Sequence, residues 1–116
     1  QAAIEREKLK INFVVEIRFT SKDDTWLSPA YQQDVCFIGC YLYGNYHWQK
    51  YCEVFDALMT EFGGRPHWGK HFLVSPAQLA ERYPAWHRFH DLRQTLDPEN
   101  RFLNPFLQSF FGEKKC

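Results

Sequence analysis

The stretch INFVVEIRFT (residues 11–20) alternates along its length. Ile11, Phe13, Val15, Ile17 and Phe19 fall on one side; Asn12, Val14, Glu16, Arg18 and Thr20 fall on the other. A period of two marks a β-strand with one apolar face. A second run, VCFIGCYLY (35–43), is apolar on both faces and reads as an inner strand covered on both sides. If these two strands pair, the face bearing Glu16 and Arg18 is expected to be covered as well. The intervening SKDDTWLSPAYQQD (21–34) is polar and turn-rich, with Ser28-Pro29 as a breaker. A connection of that length invites a function.

Outward from the strands the period changes. Trp48, Tyr51, Cys52, Phe55, Leu58, Met59 and Phe62 recur at helical spacing, and Gly63-Gly64 stops that helix. RPHWGKHF (65–72) has no clean period and reads as loop or short strand. Ser75-Pro76 with Gln78 has the form of a capping box, opening a short helix that Pro84 ends. A further helix is expected to turn Trp86, Phe89 and Leu92 inward. Asp97-Pro98 makes a turn, and Asn104-Pro105 starts a last helix carrying Phe106, Leu107, Phe110 and Phe111. QAAIEREKLK (1–10) reads as a short helix or a linker. Strands first and helices after give an α+β fold. Antiparallel strands at about 11–20 and 35–43 would pack with a helix at about 47–62 and with the C-terminal helices.

The 116 residues bound the chain to one domain. Lys+Arg and Asp+Glu number 14 each, so there is no basic excess of the kind a nucleic-acid binder carries. No apolar run approaches the roughly 20 residues of a membrane span. Aromatics reach 18% of the chain, and the dense group from Phe37 to Phe55 is expected to lie mostly in the core. The first residue is Gln1 and the single methionine is Met59, which reads as a processed or truncated product. The cysteines are Cys36, Cys40, Cys52 and Cys116, with no C-x-x-C pair. Cys36 and Cys40 on one strand would have Cα atoms roughly 13 Å apart, too far for a disulfide. They read as buried free thiols, which suits a reducing compartment.

Two clusters can carry chemistry. Glu16 and Arg18, at i and i+2 of a strand, project side by side about 6.6 Å apart by rise. They form either a solvated ion pair of little worth or, if covered, a charge pair with a task. Gly63-Gly64-Arg65-Pro66-His67-Trp68-Gly69-Lys70 sets three cations, an indole and three glycines into eight positions. Arg65, His67 and Lys70 would make a positive loop suited to a polarised oxygen, and Gly69 suggests a close backbone approach. The plain alternative is a basic surface loop. Tyr41, on the face shared with Gly39 and Tyr43, is a candidate to point into a site. His67 and His71 have the spacing of a helical zinc pair, but Pro66 and Gly69 argue against a helix there and no third ligand is apparent, so no metal is expected.

Glu16-Ile17-Arg18-Phe19-Thr20, then Asp23-Asp24-Thr25-Trp26-Leu27-Ser28-Pro29, Gly63 to Lys70, Tyr83-Pro84, Leu92-Arg93, Leu96-Asp97-Pro98 and Phe102-Leu103-Asn104 follow one another in order. Together they resemble the C-terminal region of the aldonolactone oxidase family, over about residues 12–111. That family includes L-gulonolactone and D-arabinono-1,4-lactone oxidases and the alditol oxidases, flavoenzymes of the vanillyl-alcohol-oxidase type.

The resemblance implies that the chain is a substrate- or cap-domain fragment of a larger FAD-dependent oxidase whose N-terminal FAD-binding domain is missing here. Such an enzyme oxidises an aldonolactone or related sugar alcohol by hydride transfer to flavin, with oxygen as the acceptor. Carried over, Glu16, Arg18 and Lys70 are catalytic; Glu16, Arg18, Tyr41 and Lys70 hold the substrate; His67, Trp68 and Lys70 lie by the cofactor. Gly39 and Tyr41 stand where the alditol oxidases carry a histidine and a threonine, which favours a lactone over a polyol. The fragment alone is expected to hold no FAD and to be inactive, and its location is left between cytoplasm and membrane association. The competing reading is a non-catalytic α+β interaction module that self-associates or binds a partner through its aromatic surface.

Overall fold

The computed structural model describes residues 2–9, 14–44 and 48–112. Its elements are α1 (Ala2–Arg6), β1 (Val15–Thr20), β2 (Val35–Cys40), α2 (Trp48–Glu61), α3 (Pro76–Arg82), α4 (Trp86–Leu96) and α5 (Pro105–Phe111). Two antiparallel strands and five helices among the described residues make the expected α+β fold.

The helix ends are where local chemistry places them. Ser75 accepts the Gln78 N–H while the Gln78 side chain accepts the Ser75 N–H, a complete capping box at the start of α3. Asn104 caps α5 through Leu107 N–H, with Pro105 in the first turn. Helix α2 ends on Gly63, whose φ of +62° is the left-handed value a glycine reaches without strain. The Gly64 N–H then reaches back to Met59 O (2.8 Å), and Gly63 N–H to Thr60 O (3.1 Å). This pair of bonds is the Schellman pattern. Ile11 to Phe13, Asn45 to His47 and Cys116 lie outside the described residues.

The core is helical and aromatic. Val74, Leu79, Tyr83, Trp86, Leu103 and Phe111 are buried together, with Trp68, Phe72, Phe89 and Phe110 packed against them. The expected core between Phe37 and Phe55 is corrected accordingly: Phe37, Tyr41, Trp48, Tyr51 and Phe55 are only half-buried, and Tyr43 is exposed. An aromatic-rich stretch marks material for a core without saying which aromatics meet.

The strands also depart from expectation. Among the described residues β2 is not an inner strand: it pairs there with β1 alone, and the apolar face stands open, with Ile17 59% and Phe19 83% exposed and Ile38 37%. The Glu16 and Arg18 face is not covered either. Cys36, expected to be buried, is exposed, while Cys40 and Cys52 are half-buried thiols that burial pushes up in pKa. Leu92, expected inward, is 45% exposed. With Leu96, Phe102 and Phe106 it borders an apolar groove of about 720 Å³ over Phe111. Alternation and helical spacing say which residues share a face; they do not supply the layer that covers it.

Candidate active site

β1 and β2 pair in a register that sets Glu16 opposite Gly39 and Arg18 opposite Phe37. Tyr41 extends the ladder by one more bond, its N–H donating to Val14 O (3.2 Å). Glu16 therefore faces a position without a side chain, and the next side chain on that face is Tyr41. The phenol O–H of Tyr41 donates to Glu16 Oε2 at 2.8 Å. The other carboxylate oxygen, Oε1, lies 3.4 Å from Arg18 Nε. Arg18 in turn stacks its guanidinium over the Phe37 ring, 5.9 Å from the centroid. The carboxylate raises the Tyr41 pKa, first by the hydrogen bond and then by its charge, so the phenol stays a protonated donor.

Lys70 reaches this group from a different part of the chain. Its Nζ lies 5.1 Å from the Tyr41 ring centroid, and it forms no ion pair among the described residues. The loop that carries it is fastened at several points. Arg65 donates from Nε to Arg82 O (2.8 Å) and from Nη1 to Tyr31 O (2.9 Å) and Pro29 O (3.2 Å), with its guanidinium over the Tyr83 ring. Trp68 donates from its indole N–H to Leu27 O (3.0 Å) and stacks near Tyr83, Trp86 and Phe111. The long connection 21–34 is thus a cradle of carbonyls for this loop. Asp23 holds it folded by accepting from Thr25 N–H and Ser28 O–H.

The structure brings Glu16, Arg18, Tyr41 and Lys70 together and gives the other loop residues other work. Arg65 is half-buried against backbone oxygens, its pKa lowered by desolvation. The expected three-cation loop is corrected to one in which Arg65 faces inward as a structural tie. The close approach that Gly69 suggests is to the imidazole of His67: a Cβ there would lie 3.3 Å from His67 Cε1. No helix forms at 67–71, where His71 instead stacks on Trp48 with ring centroids 4.3 Å apart. No group of three His, Cys, Asp or Glu side chains with metal-ligand geometry occurs among the described residues. Phe37, the platform under Arg18, is not among the residues the sequence points to; only the strand register reveals it. The buried Asp97 of the Leu-Asp-Pro motif is likewise structural. It accepts the N–H groups of Arg101 (2.8 Å) and Phe102 (3.0 Å) beyond the end of α4.

Residues 1–110 match the family model described as D-arabinono-1,4-lactone oxidase. The chain belongs to the D-arabinono-1,4-lactone oxidase family. It is 39% identical over 109 residues to an L-gulono-1,4-lactone dehydrogenase of Mycobacterium tuberculosis (strain CDC 1551 / Oshkosh), covering 94% of this chain and 26% of that protein. It is 38% identical over 108 residues to the L-gulonolactone oxidase of Mus musculus, covering 90% and 24%. It is also 33% identical over 100 residues to an alditol oxidase of Streptomyces sp. (strain IKD472 / FERM P-14339), covering 80% and 23%. The chain spans about a quarter of the length of these relatives. No helix of the described residues is long and apolar enough to cross a membrane.

Proposed function

We propose that this chain supplies the substrate-gripping part of an FAD-dependent oxidoreductase acting on an aldono-1,4-lactone or a related sugar alcohol. The observation that carries the reading is the convergence of Glu16, Arg18, Tyr41 and Lys70 on one open face. The donor set suits the cofactor: a guanidinium and an ammonium at an uncovered face could stabilise the negative charge a flavin would gain on accepting a hydride, and Gly39 places no side chain beside the Glu16 carboxylate. When bound, the flavin would supply the hydride acceptor that no amino-acid side chain provides.

The residues of this chain then do the rest. The Glu16 carboxylate accepts the hydrogen bond of a substrate hydroxyl and can take up its proton. Tyr41 and Arg18 hold that carboxylate from two sides, so it is oriented before substrate arrives. Arg18 and Lys70 stabilise negative charge as it develops on the substrate oxygen, and Lys70 would lie beside the flavin. His67 and Trp68, which the resemblance assigns to the cofactor, shape the loop that presents Lys70. Oxygen is the proposed electron acceptor.

The test is turnover of the flavin-loaded enzyme that carries this chain, with L-gulono-, L-galactono- and D-arabinono-1,4-lactone as substrates. Glu16→Gln and Arg18→Ala are each expected to lower kcat by about 100-fold or more while the flavin spectrum is kept. Unchanged turnover in both would overturn the reading. The 116-residue chain by itself is expected to be colourless and inactive. The exposed Ile17, Phe19 and Ile38 favour a second reading, an interaction module docking through its sheet. Concentration-dependent self-association of the chain, abolished by Phe19→Ser, would support it.

A further inference from the structure

We propose that His67 is a positioning residue for Lys70: its Nδ1, held as a hydrogen-bond acceptor, latches the turn from which the Lys70 ammonium reaches Tyr41. The turn 67–70 is closed by the Lys70 N–H donating to His67 O at 3.0 Å. A second bond reinforces it, from the Gly69 N–H to His67 Nδ1, also at 3.0 Å. A backbone N–H can donate only to a ring nitrogen that carries no proton. The neutral imidazole therefore keeps its proton on Nε2. The pattern is that of an Asx turn, in which a side-chain acceptor takes the N–H two residues on. Here an imidazole nitrogen stands where a carboxamide oxygen usually does. Gly69 permits it, because a Cβ at that position would lie 3.3 Å from His67 Cε1 and 3.5 Å from Nδ1.

The residue between the two partners cannot follow a loosened turn, because the Trp68 ring is committed to the aromatic core and to Leu27 O. With Arg65 tied to three carbonyls upstream, the backbone is anchored up to the turn. The latch then sets the direction in which the Lys70 side chain leaves it. The catalytic consequence rests on the reading of Lys70 given above; the latch itself does not.

Two measurements decide it. Nitrogen-15 NMR of the chain at about pH 8, above the ordinary histidine range, is expected to show His67 with an unprotonated Nδ1 and a protonated Nε2. Amide exchange at Gly69 and Lys70 is expected to quicken in His67→Ala and to stay slow in His67→Asn. A protonated Nδ1, or exchange unaffected in His67→Ala, would overturn the latch.

The activity arm uses the flavin-loaded enzyme. Asparagine carries an acceptor on Cγ, in the place of Nδ1; glutamine places its polar atoms one bond further, in the place of Nε2. His67→Asn is expected to recover most of the kcat/KM lost in His67→Ala, while His67→Gln falls with the alanine variant by roughly 3–10-fold, the scale of one hydrogen bond. Recovery by glutamine and not by asparagine would mean that Nε2–H contacts a ligand directly, and the positioning role would be wrong. A Lys70→Met variant that turns over normally would sink the oxidoreductase reading of Lys70 and not the latch, which NMR and exchange decide either way.

Discussion

The phenol of Tyr41 donates a 2.8 Å hydrogen bond to Oε2 of Glu16, a residue 25 positions earlier in the chain. The bond crosses between neighbouring strands over the gap left at Gly39. It occupies one oxygen of a carboxylate whose other oxygen faces Arg18, and its ring carries Lys70 on its face. Tyr41 is thus the residue that touches both halves of the site. Tyr41→Phe keeps the ring for Lys70 and removes the donor. The expected result is a fall in kcat/KM of about tenfold, the effect of one hydrogen bond to a charged group. The melting temperature is expected to change little, because the phenol oxygen is solvent-accessible. Steady-state kinetics beside a melting curve checks both.

Gly39 faces Glu16 across the pair, and a Cβ there would sit 3.7 Å from Glu16 Oε2 and from the Tyr41 ring, an ordinary contact. Gly39→Ala is therefore expected to fold and bind substrate. Gly39→Leu would extend beyond that Cβ into the space over the carboxylate, where substrate is proposed to sit. Its KM is expected to rise by about tenfold or more, the scale of a steric mismatch of one to two kcal/mol, with unfolding free energy no lower than that of Gly39→Ala. Equal KM values for the two variants would show that the gap is not used.

Arg65 places five donors in a rigid fork, and three of its bonds go to the carbonyls of Arg82, Pro29 and Tyr31. Lysine keeps the charge and cannot match that fork. Arg65→Lys is expected to cost about 2–3 kcal/mol of stability, since carbonyls lose partners in a half-buried place. Denaturant unfolding measures it. A lysine variant as stable as wild type would return Arg65 to the role of a solvated cation.

Tyr83 is fully buried beneath Arg65, and burial pushes its pKa up to about 12 from the ordinary tyrosine value of about 10. In the unfolded chain it ionises near the lower value, so the native state binds the proton more tightly. Its contribution to stability is complete below about pH 10 and is lost as pH rises from there through about pH 12. Tyr83→Phe keeps the packing and cannot ionise. Melting temperatures between those pH values are expected to fall less steeply for Tyr83→Phe than for wild type. Parallel slopes would place the alkaline sensitivity elsewhere.

Much of this molecule is legible one segment at a time. The capping box at Ser75 and Gln78, the Asn104 cap and the glycine stop after α2 depend on bonds between residues three to five apart. Those reaches are short enough for residue type to settle them. The Glu16-x-Arg18 pair and Lys70 are legible as candidates, through the resemblance that their stretches carry. Trp68 and Arg65 show the limit: beside His67 and Lys70 they read as site residues, yet one joins the aromatic core and the other ties backbone together.

The amino-acid order alone determined the α+β succession, the helix boundaries and the family. Each rests on periodicity, local capping or a motif carried within a few residues. The tertiary structure decided that Gly39 faces Glu16, that Tyr41 closes on its carboxylate, that Arg65 turns to three carbonyls and that the sheet's apolar face stands open. The physical reason is range. Strand register and core membership follow from packing summed over distant residues. A cradle made of backbone carbonyls has no side-chain signature, because every residue carries the same acceptor.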